Sequence, residues 1–72
     1  MASIVGKGPL EAYSQTVALK APVSVTGLPE LMKIPDLYRE NIIAVKDGKV
    51  LPLDEMIHDS DEILVFLSVM GG

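Results

Sequence analysis

Apolar and polar residues alternate in several short segments of this chain, and such alternation is typical of half-buried β-strands. The pattern predicts five strands, over Ala2–Lys7, Gln15–Ala21, Asn41–Lys46, Lys49–Leu51 and Glu62–Val69. Asp47-Gly48 separates the third strand from the fourth and predicts a two-residue hairpin turn, because these residue types accept the positive φ angles that the turn needs. The first two strands suit another hairpin, joined by a turn at Gly8-Pro9 and a loop over Leu10–Ser14.

Helical spacing of apolar residues occurs between the second and third predicted strands. The residues at positions i, i+3 and i+4 are Leu28, Leu31 and Met32. Pro29 fits the first turn of a helix without loss of a hydrogen bond, and Pro35 prevents the helix from continuing. The helix is therefore predicted to begin at residue 27 and to end at residue 33 or 34. The hydroxyl of Ser24 or Thr26 is expected to cap its first turn.

The segment before the last strand predicts a single helical turn over Leu53–Ile57 and then a polar turn over His58–Asp61. The whole order is two strands, a helix, two strands, a turn and a final strand. It predicts an α+β domain in which one helix packs on one face of a mixed sheet of four to five strands. Both faces of Glu62–Val69 are apolar, so one of them must be covered by other residues or be exposed for a partner.

Composition narrows the function classes. The chain has 72 residues, which is enough for one domain, and it has no cysteine, which excludes disulfides, thiolate metal sites and a thiol nucleophile. The formal net charge of −4 disfavours nucleic-acid binding and favours a partner with a basic face. No signal-peptide pattern is visible, and the longest apolar run, Ile63–Leu67, is too short to span a membrane. A cytoplasmic protein is therefore expected.

The sequence shows no convincing catalytic site, metal site or phosphate-binding loop. His58 is the single histidine and has no evident catalytic partners, so it is interpreted as a surface turn residue. Asp59, Asp61 and Glu62 lack the glycine and the distal glutamate of a calcium-binding loop, and a solvated turn is the preferred interpretation. No glycine-rich phosphate loop is present, so any ATP site is expected to belong to a partner protein.

The sequence ends with an apolar pair followed by Gly71-Gly72. Residues without a Cβ atom can enter a narrow cleft and leave the terminal carboxylate unhindered. A carboxylate is a poor acyl donor until it is activated, for example by adenylation, after which sulfur or an amine can attack it. The predicted organisation is a domain over residues 1–70 and a flexible tail over residues 71–72. The alternative is that this tail is an inert, frayed end.

Three motifs in this order resemble the MoaD/ThiS family of sulfur carriers. Residues 42–52 are similar to the family's strand, Asp-Gly or Asn-Gly turn, and strand; residues 59–63 to its turn into the last strand; and residues 69–72 to its apolar pair and terminal Gly-Gly. The resemblance covers about residues 22–72. It implies a ubiquitin-like β-grasp fold. The chain departs from the family at Ser60, where the family has Gly, and at Lys33, where a helix-ending Gly is common. Its helix also starts later, at Gly27 and Pro29, and it has Leu67-Ser68 where MoaD members often have Pro.

The resemblance also implies a function. Gly72 would be adenylated by a partner related to ubiquitin-activating enzymes, which uses ATP, and a sulfur donor would convert it to a thiocarboxylate. The chain would then deliver sulfur to a synthase of molybdopterin or thiamin biosynthesis, as a carrier without a bound cofactor rather than an enzyme. The residues implied to dock on the partner are Leu64, Phe66 and Met70, while Ile63 and Val65 would face the helix.

Two other function classes and one other sulfur acceptor remain open at this point. A ubiquitin-like protein modifier would join Gly72 to lysines of target proteins, and a carrier for tRNA thiolation would share the thiocarboxylate. A plain binding module would leave the tail chemically inert.

Overall fold

A computed structural model of the chain describes residues 1–68. The strands are β1 (Ala2–Gly6), β2 (Gln15–Val17), β3 (Val23–Ser24), β4 (Ile42–Lys46), β5 (Lys49–Val50), β6 (Met56–Ile57) and β7 (Glu62–Leu67). The α-helices are α1 (Leu28–Met32) and α2 (Asp36–Arg39), and 3-10 helices cover Gly8–Tyr13 and Val25–Gly27.

Five of the strands form one mixed sheet in the order β2-β1-β7-β4-β5, and β3 pairs with β6 in a separate two-stranded sheet. β1 and β7 are parallel, whereas the other neighbours in the large sheet are antiparallel. The first and last strands therefore lie side by side inside the sheet. This arrangement confirms the predicted α+β class with a mixed sheet.

The hairpin between β4 and β5 has the predicted turn. Asp47 has φ of 53° and Gly48 has φ of 78°, so both central residues adopt the left-handed conformation that a two-residue turn of this kind requires. The turn fixes the register in which Val45 lies opposite Val50.

One face of the sheet carries the hydrophobic core, together with the helices that cover it. On β7, Ile63 and Val65 are buried and alternate with exposed residues, as the period of a strand requires. The residues of the core cluster are Ile4, Leu10, Val25, Leu28, Met32, Ile34, Ala44, Ile57, Ile63 and Val65. Aliphatic residues thus supply this core, and the predicted inward direction of Ile63 and Val65 is confirmed.

Helix α1 lies where a helix was predicted, but it is shorter, and its capping differs. It spans Leu28–Met32, and Lys33 ends it in the left-handed conformation, with φ of 59°. The hydroxyls of Ser24 and Thr26 do not cap the helix; they hydrogen-bond to each other at 2.8 Å. The 3-10 turn over Val25–Gly27 leads directly into α1 and replaces a side-chain cap.

The segment predicted as a loop after β1 is a 3-10 helix over Gly8–Tyr13, with Leu10 fully buried beneath it. The backbone of this helix passes close to β1. A Cβ atom added to Gly6 would lie 2.0 Å from the carbonyl oxygen of Leu10, so only glycine fits there. The prediction of an irregular loop was wrong because burial of Leu10 organises the segment.

Three further element predictions were wrong. The single helical turn over Leu53–Ile57 is absent from the described residues, since Met56–Ile57 pairs with Val23–Ser24 as strand β6. A second helix, α2, follows Pro35, so the expected single helix is in fact two short ones. Strand β2 ends at Val17, because the backbone N–H of Leu19 donates to Asp59 Oδ1 at 2.7 Å instead of to a neighbouring strand.

Candidate functional site

The predicted reactive tail and one predicted docking residue lie outside the described residues. These are Met70, Gly71 and Gly72, and the predicted domain boundary after residue 70 lies there too. The structure does describe the residues that come before them, up to Ser68. Strand β7 ends at Leu67, and the N–H of Ser68 donates to the carbonyl of Asn41 at 2.6 Å. The last described residue therefore lies next to the start of β4.

Leu64 and Phe66 lie on the face of the sheet opposite the helices. Each has 37% of its surface exposed, while Ile63 and Val65 between and beside them have 1% or less. Because side chains alternate along a strand, these two residues point to the uncovered side of β7. The predicted outward direction of Leu64 and Phe66 is thus confirmed, and their role in docking stays a prediction.

Neighbouring strands extend this surface. Leu64 lies opposite Val5 of β1 and Val45 of β4, Val45 lies opposite Val50 of β5, and Phe66 lies opposite Ile43 of β4. Residues directly opposite in a ladder project from the same face. We call this surface the open-face patch; its residues are Val5, Ile43, Val45, Val50, Leu64 and Phe66. An apolar surface built on four adjacent strands marks a candidate interaction site.

A depression of about 310 Å³ lies at the end of the open-face patch where β7 begins. Val5, Val45 and Leu64 contribute its apolar lining. Its polar lining comes from Ser3, from Glu62 at the start of β7, and from the turn residues Asp47 and Gly48. The depression therefore combines apolar side chains with two carboxylates.

The polar turn over His58–Asp61 exposes its first three residues, as predicted, but buries Asp61. The carboxylate of Asp61 is buried and accepts hydrogen bonds from the backbone N–H of His58 and from Lys46 Nζ, both at 2.7 Å. These bonds lower the pKa of Asp61, and the bond to Asp61 is the main cause that raises the pKa of Lys46. The interpretation of Asp61 as solvated was wrong, because a residue on β4 reaches it from outside the turn.

Asp59 also makes contacts within the protein. Its carboxylate accepts a hydrogen bond from the N–H of Leu19 and lies 3.3 Å from the amino group of Met1. The bond from Leu19 is the main cause that lowers the pKa of Asp59.

Within residues 1–68 no group of three or more His, Asp or Glu side chains is arranged to hold a metal ion. Ser60, where the family has Gly, does not have a positive φ angle, so serine fits this position without backbone strain.

A second cavity, of about 380 Å³, lies on the helical side. Its lining residues are Val25, Thr26, Pro29, Arg39, Glu40, Ile42 and Leu53. Arg39 donates to Glu30 and to the carbonyl of Ile34, both at 2.7 Å, and lies 3.3 Å from Asp36. Its guanidinium therefore ties α1 to α2, and nothing in its contacts indicates a ligand.

Sequence reasoning had found the outward residues of β7, but it had missed their neighbours on β1, β4 and β5. Alternation within each strand shows which residues share a face, but the neighbours of Leu64 and Phe66 follow only from the order of the strands in the sheet. The sequence pattern alone does not provide that order. The Asp61–Lys46 pair was missed for the same reason, since 15 residues separate the partners.

The sequence was compared with protein-family models and with curated proteins. No family model matches the sequence, and no curated protein matches it significantly. Among the residues that the structure describes, no helix has the length and apolar character needed to cross a bilayer.

Proposed function

We propose that this chain is a ubiquitin-like β-grasp protein and a sulfur carrier of the MoaD/ThiS type. The strand order β2-β1-β7-β4-β5, with a helix after the first hairpin and packed on one face, supports the β-grasp assignment. The observation that carries the functional proposal is the position of Gly71-Gly72. This pair follows within five residues of Leu67, the end of an inner strand whose outward residues form an exposed apolar surface.

The chemistry takes place at the carboxylate of Gly72. A carboxylate oxygen attacks the α-phosphate of ATP on the partner enzyme, and pyrophosphate leaves, which gives an acyl-adenylate. Sulfide then attacks the carbonyl carbon, AMP leaves with the C–O–P oxygen, and a thiocarboxylate remains. Two easier steps replace one difficult acyl transfer. The proposal requires Gly72 to bear a free carboxylate, either as synthesised or after removal of any residues that follow it.

The chain's own contribution is recognition and delivery. Residues without Cβ atoms let the tail enter an enclosed active site, where water is kept from the acyl-adenylate. The open-face patch supplies an apolar surface by which the partner can hold the globular part while the tail reacts. The acceptor would be a sulfur-transferring synthase in molybdopterin or thiamin biosynthesis, and a tRNA-thiolation enzyme is the alternative acceptor.

Intact-mass spectrometry tests the reaction. The purified chain is incubated with ATP, sulfide and an adenylyltransferase related to ubiquitin-activating enzymes from the same genome. The expected product has one oxygen replaced by sulfur, and a chain that lacks Gly72 should give none. Formation of isopeptide adducts on lysines would instead favour the protein-modifier alternative. Adenylation of the chain without Gly72 would refute both, and leave a binding module.

Substitutions on the open-face patch test docking separately. Phe66→Asp places a charge in the centre of the proposed interface, where a buried aromatic residue is typically worth more than about 1 kcal/mol. We expect the KM of the carrier in the adenylation reaction to rise at least about 5-fold, since about 1.4 kcal/mol corresponds to 10-fold. Leu37→Asp is the matched control, because Leu37 is an exposed leucine of α2, outside the patch, with 78% of its surface exposed. An equal effect of both substitutions would contradict this docking role.

A further inference from the structure

The two ends of the open-face patch carry charges of opposite sign. At the end where β7 begins, Asp47 and Glu62 both line the depression. At the other end lies Lys7. Lys7 follows Gly6, the last residue of β1, which lies opposite Val65, and its N–H donates to the Val65 carbonyl. Because its backbone is also extended, the register carried one residue further puts Lys7 beside Phe66. An apolar centre thus separates two carboxylates from one ammonium group.

These three charges are free of partners within residues 1–68. None of them takes part in an ion pair or a side-chain hydrogen bond there. Lys46 is close enough to Asp47 for that charge to help raise the Lys46 pKa, but its Nζ is bonded to Asp61 at 2.7 Å. The carboxylates at the depression are therefore available to a charge from outside the chain.

The lining of the depression selects the kind of group that fits it. An arginine or lysine side chain has an apolar stem that can lie along Val5, Val45 and Leu64, and a cationic end that can reach Asp47 and Glu62. Arginine suits the site well, because its planar fork can bond two oxygens at once. The formal net charge of −4 favours a basic partner over the whole surface as well.

We propose that the open-face patch docks on a partner surface in one orientation, with a cationic side chain of the partner in the depression and an acidic side chain of the partner facing Lys7. This inference rests on the proposed function, and it specifies the docking face of the adenylyltransferase. Docking turned end for end would place like charges together, which disfavours that complex. The polarity therefore determines which side of the partner surface the C-terminal end of β7 faces.

Paired neutralising substitutions test the proposal. The test variant carries Asp47→Asn and Glu62→Gln; asparagine tolerates the positive φ angle of 53° at position 47. The control variant carries Glu11→Gln and Asp54→Asn, which change the net charge equally at two exposed positions that do not line the depression. Thermal melting establishes that both variants fold, and Glu62→Gln alone is used if the double variant melts early.

The assay is ATP–pyrophosphate exchange with each adenylyltransferase of the ubiquitin-activating class from the same genome. We expect the test variant to raise the KM of the carrier about 3- to 30-fold at low salt, since solvent-exposed ion pairs are individually weak. Its kcat should stay within about 2-fold, because docking charges act mainly on encounter and binding. The difference should disappear in about 1 M salt, where the Debye length is about 3 Å. The control variant should match the wild type.

Three other outcomes of this assay would overturn the inference. A test variant with the KM of the control would overturn this inference, while exchange by the wild type would still support the proposed function. A raised KM that persists unchanged at high salt would also overturn it, because the loss would not be electrostatic. No exchange by the wild type with any of these enzymes would overturn the proposed function and this inference with it.

Discussion

Substitution of Gly6 by alanine tests how closely the 3-10 helix over Gly8–Tyr13 packs on β1. An added Cβ would lie 2.0 Å from the carbonyl oxygen of Leu10 and 2.6 Å from its carbonyl carbon. Both atoms belong to the backbone, so no side-chain rotation can relieve the contact. Gly6 itself cannot move away easily, because it lies in register with Val65 and its N–H donates to Ser14 Oγ at 2.9 Å.

The size of the effect follows from the displacement that the alanine demands. Contacts of a Cβ atom below 3.0 Å are essentially never observed, so the backbones of Gly6 and Leu10 must separate by about 1 Å. Overpacking of this kind costs about 1–3 kcal/mol, and sometimes more. Leu10 is fully buried, so the shift would also disturb the core. Because both clashing atoms are backbone, we expect the upper end of this range, about 3 kcal/mol. Alanine gains about 0.5–1 kcal/mol over glycine within a strand, which leaves a net loss of about 2 kcal/mol.

Urea or thermal unfolding monitored by circular dichroism measures this loss. A domain of this size should lose about 8–16 °C in Tm for 2 kcal/mol. The control is Gly8→Ala, which has open space around the new Cβ but a φ angle of 59°. That variant should lose about 1 kcal/mol from backbone strain alone. A Gly6→Ala variant as stable as Gly8→Ala, or more stable, would refute the close approach of the two segments.

Two further substitutions probe the turn at Asp61 and the end of α1. Hydrogen bonds lower the pKa of Asp61 in the folded state, so their stabilisation is present above the ordinary pKa of about 3.9 and is lost as pH falls through the lower, folded value. Asp61→Asn should therefore reduce the acid sensitivity of unfolding, and an acid transition identical to the wild type would contradict this. Lys33 adopts φ of 59°, so Lys33→Gly should raise the unfolding free energy by up to about 1 kcal/mol. A Tm below that of the wild type would count against relief of strain.

The elements that the sequence predicts well are those whose signals are local. The Asp-Gly turn requires positive φ angles at two adjacent positions, and those residue types are found there. The last strand shows its alternation over six described residues, and the direction of Leu64 and Phe66 follows from it. Pro29 and the apolar spacing around it located α1 for the same reason.

Apart from α2, the features that were missed depend on contacts between distant segments. Strand β6 has two residues, and it forms because Met56–Ile57 meets β3. Helix α2 did have a local signal. Pro35 stands just before the helix, Asp36 is an acidic residue in its first turn, and Arg39 is a basic residue in its last turn. Pro35 was interpreted only as the end of α1. The charges around the open-face patch could not be grouped without the strand order, since Lys7, Asp47 and Glu62 are far apart in sequence.

The position of β7 between β1 and β4 has a consequence for synthesis on the ribosome. Until Glu62–Leu67 has left the exit tunnel, the β1–β2 hairpin and the β4–β5 hairpin have no common strand to join them. Each hairpin alone is marginal in water. This domain should therefore stay unfolded until β7 has emerged, and then fold in one cooperative step whose rate depends on the insertion of β7 between β1 and β4.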